Sequence, residues 1–376
     1  MRFSTLIQVL GATLILSSAT AAAQLPGVDR VILITADGLR WQEVFRGSDP
    51  KLINREDDGM KDAGEVRERF HQGPPGERRR RLMPFLWSTI ATTGVVYGNR
   101  DKGSKVNVRN RHRFSYPGYS EILVGRPQDD LIDSNDNKPN PSLTVLEIVR
   151  RELKLPREKV ALFGSWVVFE GIGAHVPGSV FINAGYHRLR LQGASKRMRR
   201  LSSDQFDLLT PWRSVRHDYT TFELALEYLR TRKPRLLYIA LGETDDWAHG
   251  DRYDRYLEMA HYLDHCLRTL WEQLEQDPEY RGRTAIIVAT DHGRGSTPKD
   301  WSSHGEDVAG AENIWIAAIG AGIKPGGEAA GGETLTQSDI APSIMRLMGL
   351  DPTLLGAGVG RPLPAVEQAA HKRKAR

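Results

Sequence analysis

Thr284-Ala285-Ile286-Ile287-Val288-Ala289-Thr290-Asp291-His292-Gly293 is an apolar run of strand length that ends on a carboxylate and an imidazole. So little polar interruption predicts a strand covered on both faces, as in parallel sheets flanked by helices. The pattern recurs twice. Val31 to Ala36 ends on Asp37, and Arg235 to Leu241 leads to Asp245 and His249. Helical periodicity fills Tyr253 to Gln276, and Thr220 with Glu223 reads as a capping box opening a helix that runs to Thr231. Ile314 to Ile319 reads as a further strand, and Thr336 with Asp339 as the cap of a helix ending near Met348-Gly349. In the N-terminal half, Pro84 to Thr93, Tyr116 to Val124 and Pro141 to Glu152 read as helices and Val160 to Phe163 as a strand. This alternation predicts an α/β fold with a mostly parallel sheet between helical layers. Open sheets of that kind bind ligands beyond the C-terminal ends of their strands. Asp37, Asp245 and Asp291 all fall there.

The rest of the chain bounds the class. Residues 1–23 read as a signal peptide: Arg2, an apolar stretch from Leu6 to Leu16, then Ala21-Ala22-Ala23 as a cleavage site. The apolar stretch is short for a membrane span, and an uncleaved anchor is the alternative. A secreted, bacterial periplasmic protein is the expectation. The single cysteine, Cys266, excludes a disulfide framework. A catalytic domain is expected over 24–364, with rim insertions at 45–82 and 165–219 that form a substrate cap, and a basic flexible tail over 365–376. The formal net charge is +5, with arginines concentrated at Arg78 to Arg81 and Arg188 to Arg200. No nucleic-acid-reading module accompanies them. No later stretch is apolar enough to span a membrane. A monomer or dimer is expected.

Asp245 and His249 are spaced so that a short helix or turn directs both at one ion. Asp291 and His292 suit a bend after a strand, and His304 completes a site by loop closure. Zinc accepts imidazole nitrogen and carboxylate oxygen alike. Glu243 and Asp246 read as groups that orient a ligand or bind backbone amides rather than as ligands. A hydroxyl nucleophile is expected near these ions, and Ser115, ahead of a helix starting around Pro117, is the candidate. Residue pattern alone leaves Ser115 equally a plain helix cap.

The ordered set Ile34-Thr35-Ala36-Asp37-Gly38-Leu39-Arg40, Ser115-Tyr116-Pro117-Gly118, Asp245 with His249, Thr290-Asp291-His292-Gly293 and His304-Gly305 resembles the alkaline phosphatase superfamily. Within it, the chain is most similar to the type I phosphodiesterase/nucleotide pyrophosphatase branch and related secreted phosphatases. The resemblance implies an alkaline-phosphatase-like three-layer sandwich. It implies two divalent ions, Zn2+ with Mn2+ as the alternative. One would be held by Asp245, His249 and His304, the other by Asp37, Asp291 and His292, with Ser115 facing the second as nucleophile. The family more often has Thr before Phe-Pro-Asn at that point; Ser115 before Tyr116-Pro117-Gly118 keeps the hydroxyl. Asn135 matches the asparagine expected to hold a phosphoryl oxygen. The implied activity is phosphoric ester hydrolysis through a phosphoserine, on a phosphate-ester small molecule or an envelope-derived substrate.

Two alternatives stay in view. Sulfatases share the fold and form their nucleophile within a C/S-x-P-x-R motif, but Tyr119 stands where the Arg belongs. A non-catalytic metal-binding envelope protein would be expected to lack ligands, and none is missing. Between phosphate esters, a monoester needs extra positive charge, for which Arg40, Arg113 and Arg294 are candidates. A diester needs apolar surface, for which Trp166, Phe169, Phe181 and Tyr186 are candidates. Diester activity is the favoured expectation.

Overall fold

A computed structural model describes residues 27–54, 60–61 and 63–366 of the chain. The signal segment expected at 1–23 lies outside them. Eleven strands occur among the described residues. They are β1 (Arg30–Ala36), β2 (Val95–Tyr97), β3 (Val106–Asn107), β4 (Val160–Gly164), β5 (Phe181–Ala184), β6 (Leu236–Leu241), β7 (Thr284–Ala289), β8 (Asn313–Ile314), β9 (Ile316–Gly320), β10 (Gly327–Glu328) and β11 (Leu335–Thr336). Eight form one sheet in the order β10-β2-β9-β7-β1-β6-β4-β5, and β11-β3-β8 form a small second sheet. The run β7-β1-β6-β4-β5 is wholly parallel, while β9 pairs antiparallel with both its neighbours. This is the expected α/β architecture, a mostly parallel sheet between helical layers.

The three layers follow from the two-residue period of a strand. From β1, Ile32, Ile34 and Ala36 enter one apolar cluster with Phe222 and Leu226 of helix Asp218–Arg232 and Leu257 and Leu267 of helix Tyr253–Gln276. Val31 and Leu33 enter the other with Ile122 of helix Ser115–Val124, Leu146 of helix Val145–Glu152 and Ile344 of helix Ile340–Leu347. Both faces of the sheet are therefore apolar, which is why its strands read as continuous hydrophobic runs. Each fully buried Leu or Ile contributes about 1.5–3 kcal/mol before chain entropy is charged against it. Cys266 is buried in the first cluster.

Several local expectations need correction. Helix Asp218–Arg232 starts two residues before Thr220, so Thr220 and Glu223 are interior and form no capping box. Its first amide is held instead by a distant carboxylate, with Asp218 N–H donating to Glu243 at 2.7 Å. The helix expected from Pro141 begins at Val145, where Thr144 and Glu147 make a reciprocal capping box. The strand expected over Ile314 to Ile319 breaks at Trp315 between β8 and β9, which belong to different sheets. Trp315 Nε1 there donates to Leu39 O at 2.9 Å. Phe181–Ala184, within the stretch expected to be a rim insertion, is the edge strand β5, parallel to β4. Residues 45–82 include short helices whose Leu52, Ile53, Val66, Phe70 and Leu82 join the first core cluster. The expected tail also begins too early: Ala365 and Val366 are buried, with Lys324 N–H donating to Ala365 O and Ile323 bridging Val366. Residues 367–376 lie outside the described set. No helix among the described residues is long and apolar enough to cross a membrane.

The long helix also holds its neighbour by a side-chain cap. Asp264 accepts Phe85 N–H and Leu86 N–H, each at 2.8 Å. Burial pushes its carboxyl up to about 6 against those amides. A carboxyl raised on folding binds its proton more tightly in the native state, so its contribution to stability falls as pH rises from about 4 to about 6. Chemical denaturation at both pH values should therefore show wild type gaining on Asp264→Asn at the acidic end, by roughly 2 kcal/mol at most. A difference independent of pH would contradict this assignment.

Candidate active site

The middle of the sheet brings three acids to one edge. β1 lies between β6 and β7 in parallel register, with Ala36 beside Leu241 and Thr35 beside Ala289. Asp37 follows β1 directly, and its N–H donates to Leu241 O at 3.0 Å. After β6 the chain turns into the short helix Glu243–His249, which carries Asp245 and His249 one turn apart. After β7, Asp291 and His292 are fully buried in the bend. The edges are tied together: Gly38 N–H donates to Asp291 Oδ1 at 3.0 Å and Leu39 N–H to Thr290 Oγ1 at 3.1 Å. Gly38 has φ +57°, and a Cβ there would lie 2.8 Å from Arg294 Nε and 3.0 Å from Asp245 Oδ1. Helix Ser115–Val124 comes in from one side with Ser115 as its first residue; the helix starts two residues before Pro117, and Phe114 occupies the cap position.

Seven of the eight expected residues converge on one centre. Asp37 Oδ1 is 3.2 Å and Asp291 Oδ2 3.5 Å from His292 Nε2. Ser115 Oγ is 3.5 Å from both Asp37 Oδ1 and His292 Nε2. On the other side, Asp245 Oδ2 lies 3.2 Å from His249 Nε2, which lies 3.0 Å from His304 Nε2. Two triplets have ligand atoms all within 4.8 Å of one another: Asp37, Asp291 and His292, and Asp245, His292 and His304. His292 thus stands between the two sets, its ring stacked on that of His304 at 4.0 Å. His249 sits at the exposed margin of the second set. The eighth residue, Asn135, lines the same cavity and accepts Tyr116 N–H through Oδ1 at 3.0 Å.

The donor set fits divalent metal ions. Asp291 Oδ2 is buried and has no hydrogen-bond partner, an expensive state for a carboxylate unless a cation faces it. Burial, then the neighbouring Asp37 carboxylate, push the Asp291 carboxyl well above its usual range. Burial lowers the His292 pKa, but Asp291 and Asp37 outweigh it and push it up to about 9. His304 is driven far down by burial, His292 and Arg294, and His249 is lowered by burial and His292. Both are therefore neutral imidazoles, the form that binds metal. His304 Nδ1 lies 3.3 Å from Arg113 O, and as donor to that carbonyl it would leave Nε2 free as a ligand.

The three candidate arginines play other parts. Arg294 is buried and donates to the Asp245 carboxylate, to Gly38 O at 3.1 Å and to Ser302 O. Arg40 pairs with Glu43 and donates to Gly295 O at 3.1 Å. Arg113 donates to Glu306 O at 3.0 Å. Each holds loops around the site. Of the candidate aromatics, Phe169 and Phe181 are core residues against Tyr119 and Tyr228, and Tyr186 anchors a loop through Thr210. Only Trp166 lines the cavity. That cavity, about 390 Å³, is lined by the polar residues Asp37, Ser115, Asn135, Asp245, Asp246, His249 and His304 and by Trp166, Trp212, Ser214 and Val215. A cavity of about 480 Å³ between Pro84–Thr89 and His261–Glu272 contains none of these groups. Asp246, expected to orient a ligand or bind a backbone amide, lines the cavity with its Oδ2 buried and without a hydrogen-bond partner; Trp212 escaped the sequence reading, because it sits in a loop with no periodicity to mark it. Glu243 faces away, toward Asp218 and His217.

A family model described as type I phosphodiesterase / nucleotide pyrophosphatase matches residues 80–338. No curated protein matches the sequence. Among solved structures, the chain is similar to alkaline phosphatase PafA, at 10% identity and a TM-score of 0.56, covering 91% of this chain and 99% of that one. It is similar to a phosphonate monoester hydrolase from Silicibacter pomeroyi, at 14% identity and a TM-score of 0.54, covering 92% and 78%. It is likewise similar to a 2-O GAG sulfatase, at 13% identity and a TM-score of 0.53, covering 90% and 76%. At these identities the likeness is one of fold.

Gly118 sets how closely the serine helix approaches the buried acid. A Cβ at that position would lie 2.5 Å from Asp291 O, which is backbone and cannot swing aside. Gly118→Ala should lower stability by roughly 1–3 kcal/mol and, by pushing Ser115 from Asp291, should lower turnover more than substrate affinity. Thermal melts and steady-state kinetics on a purified variant check both; wild-type kcat in a destabilised variant would contradict the positional argument.

Proposed function

The chain belongs to the type I phosphodiesterase / nucleotide pyrophosphatase family, within the alkaline phosphatase superfamily, and on that premise we propose a two-metal phosphoric ester hydrolase that works through a phosphoserine and prefers diesters. One observation carries the reading: the Ser115 hydroxyl lies 3.5 Å from both Asp37 and His292, where the two Asp/His sets meet. Asp37, Asp291 and His292 would hold one divalent ion and Asp245, His249 and His304 the other, with Zn2+ the favoured metal. When bound, such ions neutralise phosphoryl oxygens and acidify hydroxyl groups and water.

The protein groups then have distinct tasks. Ser115 Oγ forms the new bond to phosphorus while the bond to the leaving ester oxygen breaks, and that oxygen departs as an alcohol. Water later cleaves the phosphoserine and restores the hydroxyl. Asn135 has its Oδ1 engaged by Tyr116 N–H, so its Nδ2 is the end left to donate to a phosphoryl oxygen. Arg294 keeps Asp245 oriented through the carboxylate contact and through Gly38 O.

Charge supports diesters over monoesters. Among the described residues, no Lys or Arg lines the cavity, which leaves the second negative charge of a monoester without a cationic side chain from them. Trp166, Trp212 and Val215 provide an apolar wall for a second ester group. Export, proposed from residues 1–23, would place this activity in the periplasm, on small or envelope-derived esters.

Hydrolysis of matched aryl phosphate diesters, monoesters and sulfates tests the reading. Diesters should turn over fastest, and chelation should abolish turnover until divalent metal is restored. Ser115→Ala should reduce kcat by at least about a thousandfold with bound metal nearly unchanged. A preference for aryl sulfate would assign the site to sulfate esters. Full activity in the Ser115→Ala variant would remove the nucleophile, and less than about one transition metal per unchelated chain would favour a non-catalytic protein.

A further inference from the structure

Beside the catalytic cavity lies a strongly basic segment. Residues 186–214 contain seven Lys and Arg against two Asp, a net +5 equal to the formal charge of the whole chain, so the remaining sequence nets to zero. All seven cationic side chains are exposed. Arg197 and Arg200 pair with Glu223 and Asp204, whereas among the described residues Arg190, Lys196 and Arg213 make no ion pair.

The same segment exposes apolar surface where a soluble loop has no need of it. Leu208 is 48% and Leu209 73% exposed, and Phe206 is 36% exposed with the Arg188 guanidinium 4.5 Å over its ring. A single exposed leucine is ordinary; two adjacent ones beside a half-open phenylalanine, in a strongly basic segment, are not. The loop is anchored just behind this tip. Thr210 N–H donates to Tyr186 Oη at 2.9 Å, and Thr210 Oγ1 donates to Val215 O at 2.6 Å. Two residues on, Trp212 lines the catalytic cavity, followed by Ser214 and Val215. An apolar tip on a fixed base, carried by a basic segment that runs on into the lining of the site, has the composition of a surface that docks on an anionic bilayer: the side chains enter the acyl boundary while Arg and Lys meet the headgroups.

We propose that residues 186–214 dock this protein on an anionic phospholipid surface, with Leu208 and Leu209 inserted, so that the cavity opens toward the headgroup layer. Docking stands on the loop itself. Its consequence, that the physiological diester is the headgroup ester of a membrane phospholipid, rests on the function proposed above. The exposed leucines favour the bilayer over a soluble polyanion, because a polyanion gives them nothing to bury against.

Co-sedimentation of the purified protein with vesicles tests the proposal, using phosphatidylcholine alone and phosphatidylcholine mixed with phosphatidylglycerol. Binding is expected on the mixed vesicles only, weakening as salt is raised. The Leu208→Ser/Leu209→Ser variant should lose about tenfold in vesicle affinity while hydrolysing a soluble aryl phosphodiester at the wild-type rate. Two results would overturn docking: equal binding of the variant and wild type, or wild-type binding to heparin but not to mixed vesicles, which would assign the basic segment to a soluble polyanion. Leucine-dependent vesicle binding without hydrolysis of any phosphate ester would support docking while removing the phospholipid substrate along with the proposed function.

Discussion

The structure depends on one electrostatic constraint: three carboxylates, Asp37, Asp245 and Asp291, meet at the C-terminal edge of three adjacent parallel strands. Asp291 is wholly buried and Asp37 nearly so. Like charges this close in a low-dielectric interior repel strongly. Among the described residues, compensation comes from the His292 imidazole beside Asp37 and from the Arg294 contact with Asp245. Much of the surrounding architecture acts to hold this arrangement rather than relieve it. Gly38 and Leu39 donate backbone amides to Asp291 and Thr290, and Gly118 lets a helix lie directly on the Asp291 backbone. A scaffold that packs acids this closely beside imidazoles offers a donor set able to hold a divalent cation.

The sheet explains why this part of the site was legible in the sequence. A central parallel strand is apolar throughout, so the first polar residue after it marks the strand end, and Asp37, Asp245 and Asp291 are each at or near that point. His249 follows Asp245 at helical spacing, and His292 follows Asp291 in a bend. Ser115 was ambiguous from pattern alone, because a serine at the start of a helix is also the commonest cap. In the structure Phe114 occupies the cap position, and the resemblance to a family had already given the serine another use.

What could not be read depends on contacts between residues far apart in the chain. Asp218 and Glu243 exchange carboxylates across two helix starts: Asp218 accepts Gly242 N–H at 2.8 Å and Glu243 accepts Asp218 N–H at 2.7 Å. A local capping rule therefore chose Thr220, the nearer hydroxyl, and set the helix start two residues late. Trp315 broke an apparently continuous strand because its indole is needed under Leu39. The very short strands β3, β8, β10 and β11 have no periodicity to detect. Trp212 and Val215 reach the cavity from a loop whose sequence, viewed locally, is a mixture of polar and apolar residues without order.

The arginines near the site decide where selectivity resides. Their positions suggested a cluster for substrate charge, yet Arg40 neutralises Glu43 and Arg294 binds Asp245 and two carbonyls. A guanidinium committed to buried partners cannot turn toward a ligand without leaving those partners unpaired, a loss of about 3–5 kcal/mol for a buried pair. The cations are thus fixed as structure, and recognition passes to the other groups that line the cavity. One is the amide of Asn135. Another is the aromatic wall that ends in Trp212, on the same loop that carries Leu208, Leu209 and Arg213 to the surface. Loop 205–214 therefore joins the choice of ester to the choice of surface, and a change in its anchoring at Thr210 would alter both together.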